Sequence, residues 1–170
     1  MRPDDKIVKD AHPFGEKHLK RIGNTMRIYL DNCCYNRPYD DQTQVRISLE
    51  TQAKLHKQHM IIENRLDLAS SYVLMAENYA NPLETRKNSI LEFIEENSTV
   101  FVSEANFDKI AELAQPIIET GIKPPDAYHI ACAIFAHCDF FITTDKRVLK
   151  YVTNDIIIYN PTTFLSEIED

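Results

Sequence analysis

What most constrains this chain is an alternation: short apolar runs, each ended by polar or turn residues, are separated by longer stretches with helical spacing. MRIYLD, from Met26, reads as a buried first strand ending at Asp31, and residues 32–41 are polar and turn-forming. Residues 42–60 then place Val45, Leu49, Ala53, His56 and Met60 three or four apart, an amphipathic stripe with Arg46, Lys54 and Lys57 elsewhere on the helix. Leu66 to Ala69 is a second strand, and Ser70 or Ser71 caps a helix through Ala80 that stops at Asn81-Pro82. A helix over Leu83 to Glu96, a branched, apolar strand over Thr99 to Ser103 and a helix over Glu104 to Thr120 follow, the last stopped by Gly121 and carrying Pro116 as a kink candidate. Pro124-Pro125 introduce an alanine-rich helix over Asp126 to His137, small enough in its side chains to lie close on a sheet. Asp139 to Thr143 is the next strand, Lys146 to Tyr151 a short helix, and Asp155 to Tyr159 a last strand before a C-terminal helix. Strands separated by helices predict an α/β fold, a parallel sheet with helices on both faces.

The 170 residues suit one domain. Residues 1–25 hold charge, proline and glycine without a sustained apolar period, so they read as an N-terminal extension to a single domain over 26–170. With 44% hydrophobic and 26% charged residues the chain has the apolar content to bury a core, which excludes disorder, collagen-like repeats and coiled coil. The formal charge is −7, and from Met26 onward 13 basic residues stand against 22 acidic ones. Attachment to nucleic acid through a broadly basic surface is therefore excluded as the main mode. No apolar run reaches the roughly 18 residues of a membrane span, and the amino end lacks the apolar stretch of a signal peptide, so a soluble, cytoplasmic protein is expected. Cys33, Cys34, Cys132 and Cys138 form no C-x-x-C pair and read as reduced, buried, small apolar side chains. Cys33 follows an aspartate in a turn, which leaves a thiol nucleophile open, although no histidine is placed by sequence to activate it.

Four carboxylates stand alone among apolar residues, where an unpaired charge is costly. Asp31 is the only charge from Ile28 to Asn36, Glu77 the only one from Leu68 to Leu83, and Asp126 the only one from Pro124 to Cys138; Asp145 closes the run FFITTD. In a parallel sheet, loops that follow strands share one edge, and ligands bind there. Asp31 and Asp145 belong to that edge, and the helix that begins at Asp126 runs antiparallel to the Asp145 strand, which brings its first turn to the same side. Oxygen ligands without histidine or cysteine at ligand spacing suit a hard cation, Mg²⁺ or Mn²⁺. Taken singly, Asp31 serves equally as a turn residue, Asp126 as a charge on a helix dipole and Asp145 as a cap. Glu77, in the middle of a helix, has a buried ion pair as its alternative.

These segments resemble the PIN domain, the fold of VapC-type toxin ribonucleases, over about Met26 to Tyr159. The resemblance rests on YLDNCCYNRPYDD around Asp31, on SSYVLMAENYANP around Glu77, and above all on PPDAYHIACAIFAHCDFFITTDKRVL, in which Asp126 and Thr143-x-Asp145 bracket a small-residue helix and a strand. It implies a three-layer α/β/α sandwich with a central parallel sheet of four to five strands, and metal-dependent cleavage of RNA. It assigns catalytic and metal-binding roles to Asp31, Glu77, Asp126 and Asp145, and supporting polar contacts to Asn32 and Thr143. Many members carry Asp-x-Asn or Asp-x-Ser after the first strand; here Asp31 is followed by Asn32 and then Cys33. The resemblance further implies a homodimer and a small antitoxin partner that silences the enzyme, with an inert or regulatory PIN-fold binding protein, or a non-toxin nuclease of that fold, as the other readings.

Arg37, Lys54, Lys57, Lys146 and Arg147 are candidates for phosphate contacts, each with a solvated surface charge as its plainer reading. His129, one helical turn after Asp126, is expected to be a satisfied core histidine, as are His56 and His59. An adhesion domain of the von Willebrand type is excluded by the missing serines after Asp31, and a response-regulator receiver by the missing acidic pair and terminal lysine.

Overall fold

The computed structural model describes residues 25–169, so the extension read over residues 1–25 lies, but for Thr25, outside the described residues. β1 (Arg27–Leu30) is buried at every position, as a strand covered on both faces must be, which is why its apolar residues run without alternation. β2 (Asp67–Ser71), β3 (Ser98–Val102), β4 (Phe140–Ile142) and β5 (Ile157–Tyr159) join it in one five-stranded sheet of order β3-β2-β1-β4-β5. Every pair is parallel, and Ile28 of the central strand stands opposite Leu68 on one side and Phe140 on the other.

Among the described residues seven α-helices cover the sheet: α1 (Asn32–Asn36), α2 (Val45–Ile62), α3 (Tyr72–Tyr79), α4 (Glu84–Asn97), α5 (Phe107–Glu119), α6 (Pro124–Phe135) and α7 (Pro161–Glu169). The chain steps outward from β1 to β3 and then returns past β1 to β4. Right-handed crossovers place the helices before and after that reversal on opposite faces, which yields the expected α/β/α layering. α2 packs with α7, and α5 with α6, which also lies against β2 and β4. Ala127, Ala131 and Ala133 of α6 are buried, so the small side chains do serve close packing. Pro124 opens α6 at a position where its missing N–H leaves no helical bond unmade.

Several expected elements change at their ends. The segment over Glu104 to Thr120 divides into a 3₁₀ turn, Glu104–Asn106, and α5, while the short helix expected over Lys146 to Tyr151 contracts to a 3₁₀ turn, Val148–Lys150. The larger correction is the face that α2 buries. Val45 and Leu49 are 75% and 51% exposed and His56 is exposed, whereas Glu50, Lys54 and Lys57 are buried beside Ala53, Met60 and Ile61. The polar ends of Glu50 and Lys57 are compensated, which is the condition for burying them. Arg37 and Arg46 hold Glu50 at 2.8 and 2.9 Å, and Lys57 Nζ donates to the Pro161 carbonyl at 3.0 Å above the Phe164 ring. The lysine stems fill the space that aliphatic side chains would have filled. His56 and His59 are exposed and meet Glu169 and Glu63 at 3.1 and 3.2 Å, so neither is a core histidine.

At the amino edge of the sheet a buried pair ties three elements together. Arg27 Nε donates to Asp67 Oδ2 at 2.8 Å and its Nη1 to the Ala136 carbonyl at 2.7 Å, joining β1, β2 and the end of α6.

Candidate active site

The winding of the chain reverses between β1 and β4, so the loops leaving these two adjacent strands diverge and open a crevice at their carboxyl ends. Asp31 follows β1 at this point. Its backbone N–H still belongs to the sheet, donating to the Ile142 carbonyl at 2.9 Å, while its side chain caps α1 by accepting the Asn32 N–H at 2.7 Å. The free end of the carboxylate turns toward β4: Oδ2 accepts the Thr143 hydroxyl at 2.8 Å and the Cys33 thiol at 3.3 Å. Thr143 is fully buried and, besides donating to Asp31, accepts the Asp145 N–H at 3.1 Å. One hydroxyl therefore fixes both acids that leave the β1 and β4 strands. Asn32 sits beside Glu77, and its Oδ1 accepts from Asn36 Nδ2 at 3.2 Å.

Cys33 occupies the place where the resemblance leads one to expect a harder polar group. It is half-buried, and its Sγ lies 3.3 Å from each of Asp31 Oδ2, Thr143 Oγ1 and the Thr144 N–H. All four cysteines are free thiols, and three are buried as expected, but Cys33 is part of the polar network. Its contacts are carboxylate, hydroxyl and amide, with no histidine among them, so nothing here activates it as a nucleophile.

Glu77 comes from α3, whose start is fixed where Ser71, the last residue of β2, accepts the Leu74 N–H at 3.2 Å. The glutamate is half-buried, and its Oε2 lies 3.1 Å from His129 Nε2. Burial pushes the Glu77 acid up, but the hydrogen bond and charge of His129, with Asn32, hold it below the usual glutamate range. His129 is buried on α6, one turn past Asp126, and its Nδ1 meets the Tyr29 hydroxyl at 2.8 Å, which in turn lies 2.6 Å from Ser71 Oγ. Burial works against the imidazolium, yet Glu77, with the charges of Asp31 and Asp126, raises the histidine above its ordinary value. A protonated ring donates through both nitrogens, to Glu77 and to Tyr29, and the Tyr29 hydroxyl then donates to Ser71. The sequence places His129 one turn from Asp126; the fold aims it at Glu77 instead.

Asp126 lies in the first turn of α6, half-buried. Burial raises its acid above the aspartate range, and the carboxylates of Asp31 and Asp145 raise it further. Asp145 is held low, chiefly by Arg147, which reaches it from its backbone N–H at 2.7 Å and from Nη2 at 3.1 Å. Of the basic residues expected near phosphate, Arg147 is thus already paired with an acid of the site. Arg37 pairs with Glu50 and Asp40, Lys54 and Lys57 are buried within the fold, and Lys146 is exposed.

Asp31, Asp126 and Asp145 thus interact electrostatically at one edge, and Glu77 is tied to them only through His129, whose charge responds to Asp31, Glu77 and Asp126. Such an oxygen-only donor set fits a hard divalent cation in its chemistry. The side chains are not arranged as a finished cage: among the described residues no three His, Cys, Asp or Glu side chains stand as ligands to one ion. Asp145 faces Arg147 and Glu77 faces His129 in place of a common centre.

No protein-family model matches the chain, and no curated protein matches its sequence. Among solved structures it is similar to a chain in the crystal structure of VapBC2 from Rickettsia felis bound to a DNA fragment from their promoter. The two superpose with a TM-score of 0.54 at 15% sequence identity, over 79% of this chain and 98% of that one. At this identity the likeness establishes the fold, and it supports a PIN-like one.

Proposed function

We propose that this chain is a metal-dependent endoribonuclease that hydrolyses RNA phosphodiester bonds, and the toxin of a toxin–antitoxin pair. The observation that carries the reading is the convergence of Asp31, Asp126 and Asp145 at the β1/β4 crevice, close enough that two of them raise the third, on a fold shared with a VapBC2 chain. In this reading Asp31, Glu77, Asp126 and Asp145 hold Mg²⁺ or Mn²⁺. The ion supplies Lewis-acid activation of water and neutralises charge on the phosphate. Thr143 fixes the orientation of Asp31 and the loop bearing Asp145, and Asn32 and His129 fix Glu77. Arg147, paired with Asp145, is the residue that would turn to a substrate phosphate, exchanging one anionic partner for another. A small antitoxin, and pairing of two copies of the chain, complete the proposal.

Cleavage of a labelled RNA with Mg²⁺ or Mn²⁺, its loss with chelator, and its loss in Asp126→Asn test the reading; full activity in that variant overturns it.

A second reading, a catalytically inert or regulatory binding protein of this fold, is favoured by the way Arg147, His129 and Cys33 already occupy three of the acids. Calorimetric titration with Mn²⁺ separates the two: no binding at millimolar metal selects the inert protein.

A further inference from the structure

Glu77 is reached from two directions by one residue, Ser71. Along the backbone, Ser71 ends β2 and its Oγ accepts the Leu74 N–H at 3.2 Å, which fixes the first turn of α3 and with it the place of Glu77 on that helix. Through side chains, Ser71 Oγ lies 2.6 Å from the Tyr29 hydroxyl, that hydroxyl lies 2.8 Å from His129 Nδ1, and His129 Nε2 lies 3.1 Å from Glu77 Oε2. The circuit closes on itself, and Ser71, Tyr29 and His129 are all buried. Tyr29 belongs to the central strand, and its ring stacks on Phe141 of β4 at 5.5 Å, so its hydroxyl is a fixed point of the sheet. The order of the hydrogen bonds matters as much as their presence. His129 Nε2 is buried and makes no hydrogen bond apart from its pairing with Glu77, so a proton on that nitrogen decides whether the contact attracts or repels. In a neutral ring, a Tyr29 hydroxyl that donates to Nδ1 selects the tautomer whose N–H is at Nε2, facing the carboxylate. In a doubly protonated ring, Nδ1 donates to Tyr29 and Nε2 presents the same N–H. The arrangement therefore serves Glu77 in either charge state.

We propose that Tyr29, a residue of the central strand with no exposed surface, is a positioning residue for Glu77 and acts through His129. The proposal rests on the reading of Glu77 as a metal ligand. His129 engages Oε2, so the carboxylate keeps capacity for Asn32 and for an ion in the crevice while being oriented from behind. Because Ser71 both caps the helix that carries Glu77 and anchors the chain of side chains that ends on it, the place of the glutamate and the direction of its carboxylate are set together. Without the Tyr29 hydroxyl, His129 loses the partner that fixes its tautomer and ring orientation, although the ring of residue 29 can still pack on Phe141.

The test is Tyr29→Phe in the full chain, which removes one oxygen and keeps the ring. Calorimetric titration should show Mn²⁺ binding weakened about tenfold, while the KM for a labelled RNA stays within about twofold of the parent value. The nitrogen chemical shifts of the His129 ring should move as its tautomer is released, a signature that a loss of stability alone does not produce. His129→Leu breaks the circuit at the next link and should weaken Mn²⁺ binding at least as much, and Tyr29→Phe should add nothing in that background. Unchanged Mn²⁺ affinity in folded Tyr29→Phe, or a further loss when it is added to His129→Leu, overturns the proposal. If the parent binds no Mn²⁺ at millimolar metal, the metal reading of Glu77 fails, and a double-mutant cycle of Tyr29→Phe with Glu77→Gln in urea unfolding decides the positioning role. The combined loss should then be smaller than the sum of the two single losses, and additive losses overturn it.

Discussion

Two regions of this molecule hold charge out of water, and they do so in opposite ways. At the carboxyl edge of the sheet, Asp31 after β1 is buried, and Glu77, Asp126 and Asp145 from α3, α6 and the loop after β4 are half-buried, with Asp31 and Asp145 close enough to raise Asp126. Beneath α2, Lys54 and Lys57 are buried, and each is pushed down to about 8 by loss of water. The lysines are spread along one helix and serve packing; their stems fill the layer between α2, α1 and α7. The acids come from four separate elements, and three of them are relieved by Thr143, His129 and Arg147. Asp126 alone is raised by its neighbours, a cost that no packing offsets and that the proposed metal site would account for, whereas the cost of the lysines is offset by packing.

The sharpest way to break that contrast is at Asp126. Asparagine there should lower metal-dependent RNA cleavage by about a hundredfold or more, with a thermal midpoint equal to or above the parent because one repelling charge has gone. A large fall in stability would move Asp126 into the structural class. For Lys57 the expectation is reversed: alanine should cost about 2–4 kcal/mol in urea unfolding by opening a cavity, while methionine, which keeps the stem, should stay within about 1 kcal/mol. Added Mn²⁺ should stabilise the parent by about 2.7 kcal/mol at a hundred times its Kd, and Asp126→Asn or Asp145→Asn should lose most of that gain in a thermal melt.

The smallest effect concerns pH. Between about 8 and 10.5 the native lysines have released protons that the unfolded chain keeps, so the unfolded state binds more and stability rises with pH. Above about 9 the buried thiols act oppositely, because Cys34 is pushed up and Cys132 is pushed up to about 12, so the native state holds protons the unfolded chain has lost. A shallow rise in unfolding free energy from about pH 8 to 9 is therefore expected, and the double variant Lys54→Met/Lys57→Met should flatten it.

The acids were legible for a definite reason: each is the lone charge in an apolar run, so the sequence itself carries the anomaly. The lysines were not, because α2 is rich in polar residues and its periodicity permits more than one buried face. The face through Val45, Leu49 and His56 is apolar enough by spacing, but α7 and the 3₁₀ turn at Arg37–Tyr39 close on the other side. Which face is covered is decided by residues more than a hundred positions away, among them Pro161 and Phe164. His129 is the buried, satisfied histidine that the sequence leads one to expect, but its partner Glu77 is not legible there, since α3 is brought beside α6 only by the sheet order. The strand alternation predicted a parallel sheet, but nothing in it distinguishes β3-β2-β1-β4-β5 from other orders. Cys33 was read by residue type, as a small apolar side chain, whereas its surroundings make it a thiol donor to Asp31.

That strand order also imposes a timetable. The central strand pairs on one side with β2, whose first residue is forty positions away, and on the other with β4, where Ile28 must wait for Phe140. A chain emerging from the ribosome presents Asp31 and Glu77 early, yet it lacks the strand and helix that bring Asp145 and Asp126 beside them until about four-fifths of it has been made. The pairing of β1 with β4 spans the longest sequence separation of any strand pair in the sheet. Asp31, Asp126 and Asp145 therefore come together only once the chain has been made past Asp145.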